Sequence, residues 1–204
     1  HRFVQCLRHC GIDGRQGDSL HALRHHRLDE RDLPFFISLI DHLAEHGSPA
    51  PRILPDLSGQ HVQTLCGRPA CLIQFLDGVS VSRPTGRQAF AAGEALAQMH
   101  CGVADFADGP PNPLTLNGWR QLADRLGDRL DNILPGLTAE VAEELAYLSD
   151  HWPDGLPASV IHADLFPDNV LMTGDRVTGI IDFYFACRDI TAYDFAVTHG
   201  AWCF

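Results

Sequence analysis

From about residue 29 onward, apolar and polar positions alternate with a clear period. Between residues 29 and 47 the apolar side chains recur every three or four positions, which predicts an amphipathic helix, and Gly47 is a typical residue just beyond a helix C-terminus. The apolar face of this helix consists of Leu33, Phe36, Ile37, Ile40, Leu43 and Ala44. Short apolar runs at residues 53–57, 65 and 70–75 then predict strands of a small sheet.

The pattern farther along the chain is mainly helical. Thr85 is a favourable N-cap for a helix that ends near His100. The apolar face of that helix consists of Phe90, Ala91, Ala95, Leu96 and Met99. A Pro-, Gly- and Asn-rich loop at 108–113 precedes two further amphipathic helices at 117–132 and 138–151. This order of helix, small sheet and helical region with short hairpin strands predicts an α+β fold with two lobes.

Composition limits the classes of partner and compartment. All 15 basic residues of the 204-residue chain are Arg, none is Lys, and the formal net charge is -11. Nucleic acids and anionic membrane surfaces attract clustered cations, so this balance argues against both as partners. The seven cysteines are odd in number and none forms a Cys-x-x-Cys pair. Free thiols of this kind indicate a reducing compartment, and we expect a cytoplasmic location.

Residues 1–28 differ from the rest, because they hold five of the 12 His and five of the 15 Arg and show little apolar periodicity. One interpretation is a metal site, although the spacing matches no standard zinc pattern. Its ligands would be Cys6, His9, Cys10, His21 and His25. A second interpretation is a polar, irregular arm. The third, which we favour, is a shifted reading frame: the codons of residues 21–23, read one base later, can give Thr-Leu-Tyr, a β-rich sequence.

The residues that carry chemistry surround a predicted hairpin. A short apolar strand leads into a loop at 162–169, His-Ala-Asp-Leu-Phe-Pro-Asp-Asn, in which Asp164 and Asn169 lie five positions apart. The hairpin at 170–181 then returns the chain and brings Asp182 back towards the loop. We therefore expect the side chains of Asp164, Asn169 and Asp182 to converge at one end of a small sheet.

This set suits phosphoryl transfer from ATP. Hard divalent cations neutralise nucleotide phosphates and take oxygen ligands, which Asn169 and Asp182 supply for Mg²⁺. Asp164 is placed to accept the proton of an attacking hydroxyl. The pattern matches the kinase template, in which H-R-D-x-x-x-x-N is followed by D-F-G. The alternative, that Asp164 and Asp168 only cap the loop, does not account for the register of Asp164 with Asn169 and Asp182.

Three further residues have predicted roles, two of them with alternatives. His162 is placed with Asp164 in the catalytic set, where it either takes part in catalysis or, as we prefer, holds the loop by hydrogen bonds. Asp168 either binds the phosphoacceptor or caps the turn, and we favour the cap. Asp194 is expected to cap a helix and to brace the catalytic loop.

These stretches resemble the homoserine kinase branch of the aminoglycoside phosphotransferase and choline kinase-like family. The resemblance runs from about residue 27 to the last residue. It is carried by His-Ala-Asp-Leu-Phe-Pro-Asp-Asn-Val-Leu at 162–171, Ile-Asp-Phe-Tyr-Phe-Ala-Cys at 181–187, Leu-Ile-Gln-Phe-Leu-Asp-Gly at 72–78 and Ala-Trp-Cys-Phe at 201–204. It implies phosphorylation of L-homoserine by ATP to O-phospho-L-homoserine, a step of threonine biosynthesis.

The resemblance also implies a division of the chain. Residues 29–77 would be the remainder of a small ATP-binding lobe and residues 78–204 a large catalytic lobe of a protein kinase-like fold. The backbone of Gln74, Phe75 and Leu76 would face adenine. The chain departs from the family in its first 28 residues and in having no Lys to hold phosphates. We therefore expect a fold that is incomplete at both ends and a chain that by itself has little or no kinase activity.

Two other functions stay open at this point. One is a kinase of another small hydroxyl or amino compound, such as an aminoglycoside or choline. A glycine after Asp-Phe would favour it, whereas Tyr184 stands there in this chain. The other is a non-catalytic relic that at most binds a nucleotide. The sequence does not determine the oligomeric state.

Overall fold

The computed structural model describes residues 32–65 and 68–204. The three interpretations of residues 1–28 therefore lie outside the described residues. The helices are α1 (Leu33–Glu45), α2 (Gly86–Gly102), α3 (Leu116–Leu126), α4 (Leu137–His151) and α5 (Thr191–Cys203). The strands are β1 (Ile53–Leu54), β2 (Gln63–Leu65), β3 (Arg68–Ala70), β4 (Leu72–Ile73), β5 (Ala158–Ile161), β6 (Val170–Thr173), β7 (Arg176–Ile180) and β8 (Cys187–Ile190). Three short 3₁₀ segments occupy Gly127–Asn132, Pro167–Asn169 and Phe183–Phe185.

The strands of the described residues form four antiparallel pairs, β1 with β4, β2 with β3, β5 with β8 and β6 with β7. Two of these pairs frame the loop at 162–169, because β5 leads into the loop and β6 leads out of it. An α+β architecture is therefore confirmed. No helix in the described parts of the chain is both long and apolar enough to cross a membrane.

Helices α1 and α2 form where the sequence predicts them. Gly47 follows α1 with φ +79, and Thr85 forms a capping box with Gln88 at the start of α2. One position on the predicted inner face of α2 is wrong: Phe90 is 69% exposed. The buried face of α2 runs through Ala92, Ala95, Leu96, Met99 and Gly102. Since adjacent residues on a helix are about 100° apart, Phe90 lies roughly 200° from Ala92 and points away from the core.

The core lies between these two helices and the strands around the loop. Its members from the helices include Leu39, Leu43, Leu96 and Met99, and those from the strands and loop include Val160, Leu165, Val170, Met172 and Ile180. Helices α3 and α4 contribute no buried residue and pack on each other, with the Trp119 and Trp152 rings 5.7 Å apart. The loop thus rests on the best-packed part of the described structure.

Candidate active site

The loop that follows β5 turns sharply at Ala163. This residue has φ 62, a left-handed conformation that costs a non-glycine residue about 1–2 kcal/mol. The turn reverses the chain so that the carbonyl of Asp164 accepts hydrogen bonds from Phe166 N at 2.8 Å and Asn169 Nδ2 at 2.8 Å. Such a strained turn persists only when its surroundings hold it in place.

Asp194 supplies much of that support. Its carboxylate is fully buried and accepts the backbone N–H groups of His162 at 2.9 Å and Ala163 at 2.8 Å. His100, at the end of α2, approaches the same carboxylate with Nε2 at 2.8 Å. The predicted brace is therefore found. The predicted helix cap is not, because Asp194 lies in the first turn of α5 and both its oxygens serve the loop and His100.

A second contact from α5 holds the far side of the loop. The indole N–H of buried Trp202 donates to the carbonyl of Leu165 at 2.8 Å. Leu165 is itself fully buried, so the loop is tied by its backbone and by its apolar side chain. Sequence reasoning assigned no such role to Trp202 or His100. The only sequence signal for either is a polar atom on a residue that falls on an inward helical face.

His162 occupies the centre of this arrangement with no exposed surface. Its Nε2–H donates to the carbonyl of Ile181 at 3.1 Å, and its Nδ1 accepts the N–H of Asp164 at 3.3 Å. Burial lowers the pKa of His162, opposed chiefly by the charge of Asp194, which favours this neutral tautomer. Both ring nitrogens thus bond the backbone, which is the contact that the loop-holding interpretation expects.

Asp164 and Asn169 meet as the spacing predicts. Asn169 Nδ2 donates to Asp164 Oδ2 at 3.0 Å as well as to the Asp164 carbonyl, so the amide orients the carboxylate directly. Burial raises the pKa of Asp164, the Asn169 hydrogen bond lowers it, and the carboxylates of Asp182 and Asp168 raise it further. A partly buried carboxyl with a raised pKa is a suitable general base near neutral pH. Asp168 itself is exposed, and no side-chain hydrogen bond of a turn cap joins it to the described residues.

Asp182 arrives from the other end of the hairpin formed by β6 and β7. Ile181 N donates to the carbonyl of Asn169 at 3.0 Å, which fixes the start of the hairpin beside its end. Asp182 takes a left-handed backbone with φ 64, and its Oδ1 is buried without a hydrogen-bond partner in the described structure. An orphaned, buried carboxylate oxygen is costly unless a ligand satisfies it.

The donor set beside Asp182 fits a hard divalent cation. The Asp182 oxygen has no hydrogen-bond partner among the described residues, and the preceding residue, Ile181, bonds the backbone of Asn169, whose amide nitrogen is already committed to Asp164. The amide oxygen of Asn169 is thus the atom left to act as a ligand. Oxygen ligands of these two kinds are the ones that Mg²⁺ and Ca²⁺ prefer.

The segment that connects β4 to the hairpin contains Gln74, Phe75 and Leu76, the residues whose backbone is expected to face adenine. Two hydrogen bonds join Gln74 to Arg52. Gln74 N donates to the Arg52 carbonyl at 2.8 Å, and Arg52 N donates to Gln74 Oε1 at 3.2 Å. Among the hydrogen bonds between described residues, none uses a backbone group of Phe75 or Leu76. Their backbone N–H and C=O groups are therefore free, within the described chain, to pair with a flat heterocycle.

The segment after β4 is joined to the hairpin of β6 and β7 at Gly78 and Val79. Val79 exchanges two hydrogen bonds of 3.0 Å with Met172 in β6. Gly78 has φ +136, and a Cβ there would meet Thr178 Oγ1, Leu171 Cβ and Met172 N. This close approach places the segment after β4 against β6 and β7, the strands that lie between Asn169 and Asp182.

Comparisons with known proteins agree with this geometry. The homoserine kinase of Beijerinckia indica subsp. indica is 49% identical over 178 residues, which are 87% of this chain and 56% of that protein. The homoserine kinase of Sinorhizobium fredii is 48% identical over 189 residues, 93% of this chain and 58% of that protein. The chain thus spans somewhat more than half the length of these curated relatives.

Solved structures give the fold. Aminoglycoside 2'-phosphotransferase-IIIa in its GDP complex matches with a TM-score of 0.67 and 16% identity over 98% of this chain and 77% of that chain. Amicoumacin kinase in complex with AMP-PNP, Ca²⁺ and Ami matches with a TM-score of 0.62 and 14% identity over 84% of this chain and 53% of that one. The expected aminoglycoside phosphotransferase-like fold is confirmed. Residues 16–204 also match the model described as "Phosphotransferase enzyme family", and the chain belongs to that family.

Proposed function

We propose that this chain belongs to an enzyme that transfers the γ-phosphoryl group of ATP to the hydroxyl of L-homoserine. The observation that carries the proposal is the buried Asp182 oxygen without a partner among the described residues, in a carboxylate whose charge acts on Asp164, the residue that Asn169 bonds. A buried anion without a partner fits a phosphotransferase that binds its nucleotide with a cation. Identity of 49% and 48% to proteins named homoserine kinase supports homoserine as the acceptor.

In this proposal Asp164 is the general base. Its carboxylate is oriented by Asn169 and has a pKa raised by burial, so it can take the proton of a hydroxyl that approaches within hydrogen-bond distance. As the hydroxyl oxygen forms its bond to the γ-phosphorus, the bond between that phosphorus and the bridging oxygen breaks. The electron pair of that bond leaves with ADP, and the proton resides on Asp164.

Asn169 and Asp182 are the proposed Mg²⁺ ligands. Bound there, the cation would neutralise charge on the nucleotide phosphates. The complex of amicoumacin kinase with AMP-PNP and Ca²⁺ shows a nucleotide analogue and a divalent ion in a protein of the same fold, which supports this assignment. The protein side of the site is rigid, because the hairpin fixes Asn169 against Ile181, the residue before Asp182.

We assign the adenine contact to the backbone of Gln74, Phe75 and Leu76, with residues 29–77 as the small-lobe remainder and 78–204 as the large catalytic lobe. The free backbone groups of Phe75 and Leu76 support this contact. A cytoplasmic reaction in threonine biosynthesis accords with the four free cysteines that the structure describes.

A chimera tests the acceptor. Residues 29–204 replace the matched segment of the Beijerinckia indica homoserine kinase, and the protein is expressed in a bacterium that lacks its own homoserine kinase. We expect growth without threonine and homoserine-dependent ADP release that exceeds release with choline or kanamycin. A clear preference for choline or kanamycin would assign another acceptor, and no release with any acceptor would favour the non-catalytic relic.

Variants of the same chimera separate the two roles. Asp164→Asn should keep nucleotide binding and lose roughly 10²–10⁴ in turnover, the usual scale of general-base help. Asp182→Asn should weaken Mg²⁺-nucleotide binding, because a neutral amide is a poorer cation ligand. Asp175→Asn, at the exposed hairpin turn, makes the same charge change away from the site and is the control. Normal binding and turnover in Asp182→Asn would remove that residue from the metal role.

A further inference from the structure

A second group of potential ligands lies far along the chain from the proposed site. His42 and His46 stand four positions apart in the last turn and at the C-cap of α1, so their side chains share one face. Asp105 reaches them from the turn that follows α2. One ligand atom from each of these three residues lies within 4.8 Å of the other two. The proposed phosphotransferase function uses none of them.

Hydrogen bonds to the backbone already orient both imidazoles. His46 Nδ1 donates to the carbonyl of His42 at 2.8 Å, which leaves Nε2 of His46 with its lone pair. His42 Nε2 faces two oxygens, Gly102 O at 2.9 Å and Asp105 Oδ1 at 3.3 Å. His46 is thus held as metal-bound histidines are, with one ring N–H on a carbonyl and the other nitrogen available to a metal, whereas His42 would give up its Gly102 hydrogen bond to bind an ion through Nε2.

The spacing of the ligand atoms suits a small cation. A tetrahedral ion with bonds of about 2.0–2.1 Å to nitrogen and oxygen places its ligand atoms roughly 3.4 Å apart. The pair His42 Nε2 and Asp105 Oδ1 already has that separation, at 3.3 Å. The remaining separations are at most 4.8 Å, and the Asp105 side chain, which is 74% exposed, is free to move, whereas the His42 side chain is 19% exposed and packs against Phe106.

We propose that His42, His46 and Asp105 bind a divalent transition-metal ion of the Zn²⁺, Ni²⁺ or Co²⁺ class. The ion takes the place of the proton that His42 Nε2 shares with its two oxygen neighbours, and His46 Nε2 completes the protein ligands. Two imidazoles and one carboxylate select such ions over Mg²⁺ and Ca²⁺, which prefer oxygen alone. Because His42 lies on α1 and Asp105 follows α2, the bound ion would fix the end of α1 to the end of α2.

Calorimetric titration of the metal-free chain with Ni²⁺ tests this proposal. Because the chain holds 12 His and seven Cys in all, the test compares Ni²⁺ binding between the unaltered chain and variants of the site. The site variants are His46→Gln and Asp105→Asn. His151→Gln is the matched control. Like His46 with His42, His151 bonds the carbonyl four residues back through Nδ1, at 2.8 Å, and its ring stacks on the ring of that residue, Tyr147, at 4.0 Å.

We expect the unaltered chain and His151→Gln to bind one more Ni²⁺ equivalent than His46→Gln. Asp105→Asn should weaken that equivalent by at least the roughly 10–100-fold that loss of an outer ligand contact costs. Saturating Ni²⁺ should raise the unfolding temperature of the first two proteins more than that of the site variants. Equal stoichiometry and affinity in all four proteins would overturn the proposal, and unchanged affinity in Asp105→Asn would overturn the three-residue site.

Discussion

Replacement of Asp194 by Asn is the sharpest perturbation of the loop that carries Asp164. One carboxylate oxygen accepts the N–H of His162 and Nε2 of His100, and the other accepts the N–H of Ala163. Asparagine has the same shape but only one acceptor oxygen. If that oxygen faces Ala163, two bonds are lost; if it faces His162 and His100, one is lost. In both orientations the new amide N–H₂ points at a donor.

The structure sets the size of the effect. Hydrogen bonds to charged groups contribute about 1.5–3 kcal/mol each, and removal of one partner from a buried charged network costs about 3–5 kcal/mol. Asp194 has no exposed surface, so solvent cannot replace the lost partners. When the remaining oxygen faces His162 and His100, the strained backbone of Ala163, with φ 62, also loses the bond that holds it. We therefore expect Asp194→Asn to lower the free energy of unfolding by about 3–5 kcal/mol.

Urea denaturation of the 204-residue chain measures this loss. With an m-value of about 2 kcal/mol/M, the midpoint should fall by roughly 1.5–2.5 M at unchanged slope. The matched control is Thr198→Val, one turn farther along α5. The buried hydroxyl of Thr198 has no partner among the described residues, so an isosteric apolar group should be neutral or stabilising. A midpoint for Asp194→Asn within about 0.3 M of the unaltered chain would refute the bracing role.

Three further predictions concern strain and charge at the site. Asp182→Gly should stabilise the nucleotide-free chain by about 1 kcal/mol in urea, because it relieves φ 64 and removes an orphaned oxygen, and should abolish Mg²⁺-nucleotide binding by calorimetry. Gly78→Ala should destabilise the chain by about 2 kcal/mol or more, because its Cβ meets Thr178, whereas Gly93→Ala meets nothing and should not. Asp164→Asn should raise the melting temperature near pH 7 but not near about pH 3. Burial raises the pKa of Asp164 in the folded state. Asp164 therefore contributes favourably to stability below the ordinary aspartate pKa, and this contribution is lost as the pH rises through the raised pKa. Equal melting temperatures of the two proteins near pH 7 would contradict this reasoning.

Local signals in the sequence were sufficient for α1, α2 and the hairpin, whereas the helix predicted at 117–132 ends at Leu126 and continues as a 3₁₀ segment. Thr85 with Gln88 forms the predicted start of α2, and Gly47 follows the predicted end of α1. The five-residue spacing of Asp164 and Asn169 also predicted their contact, because the intervening loop is too short to separate them. In these places the nearest neighbours along the chain decide the conformation.

Local sequence signals did not predict the contacts between residues that are distant along the chain. The brace of Asp194 on the loop spans about 30 positions, and nothing in the pattern of α5 indicates that Asp194 bonds backbone N–H groups rather than its own helix. His100 joins that carboxylate from 94 positions away. Phe90 shows the opposite failure, since its apolar character suggested the core although its helical angle excluded it. Apolar type alone does not place a side chain inside.

The brace from α5 also has a consequence in time. The bonds of His162 and Ala163 cannot form until Asp194 has been synthesised, and the bond of Leu165 cannot form until Trp202 has been synthesised. A ribosome that adds about 5–20 residues per second needs roughly 2–8 seconds to synthesise the 40 or so residues from the loop to Trp202. During that interval the backbone donors of the loop have no native partner and the left-handed turn at Ala163 has nothing to hold it. Growth of the chain, rather than the speed of local folding, thus sets when the loop reaches its final shape.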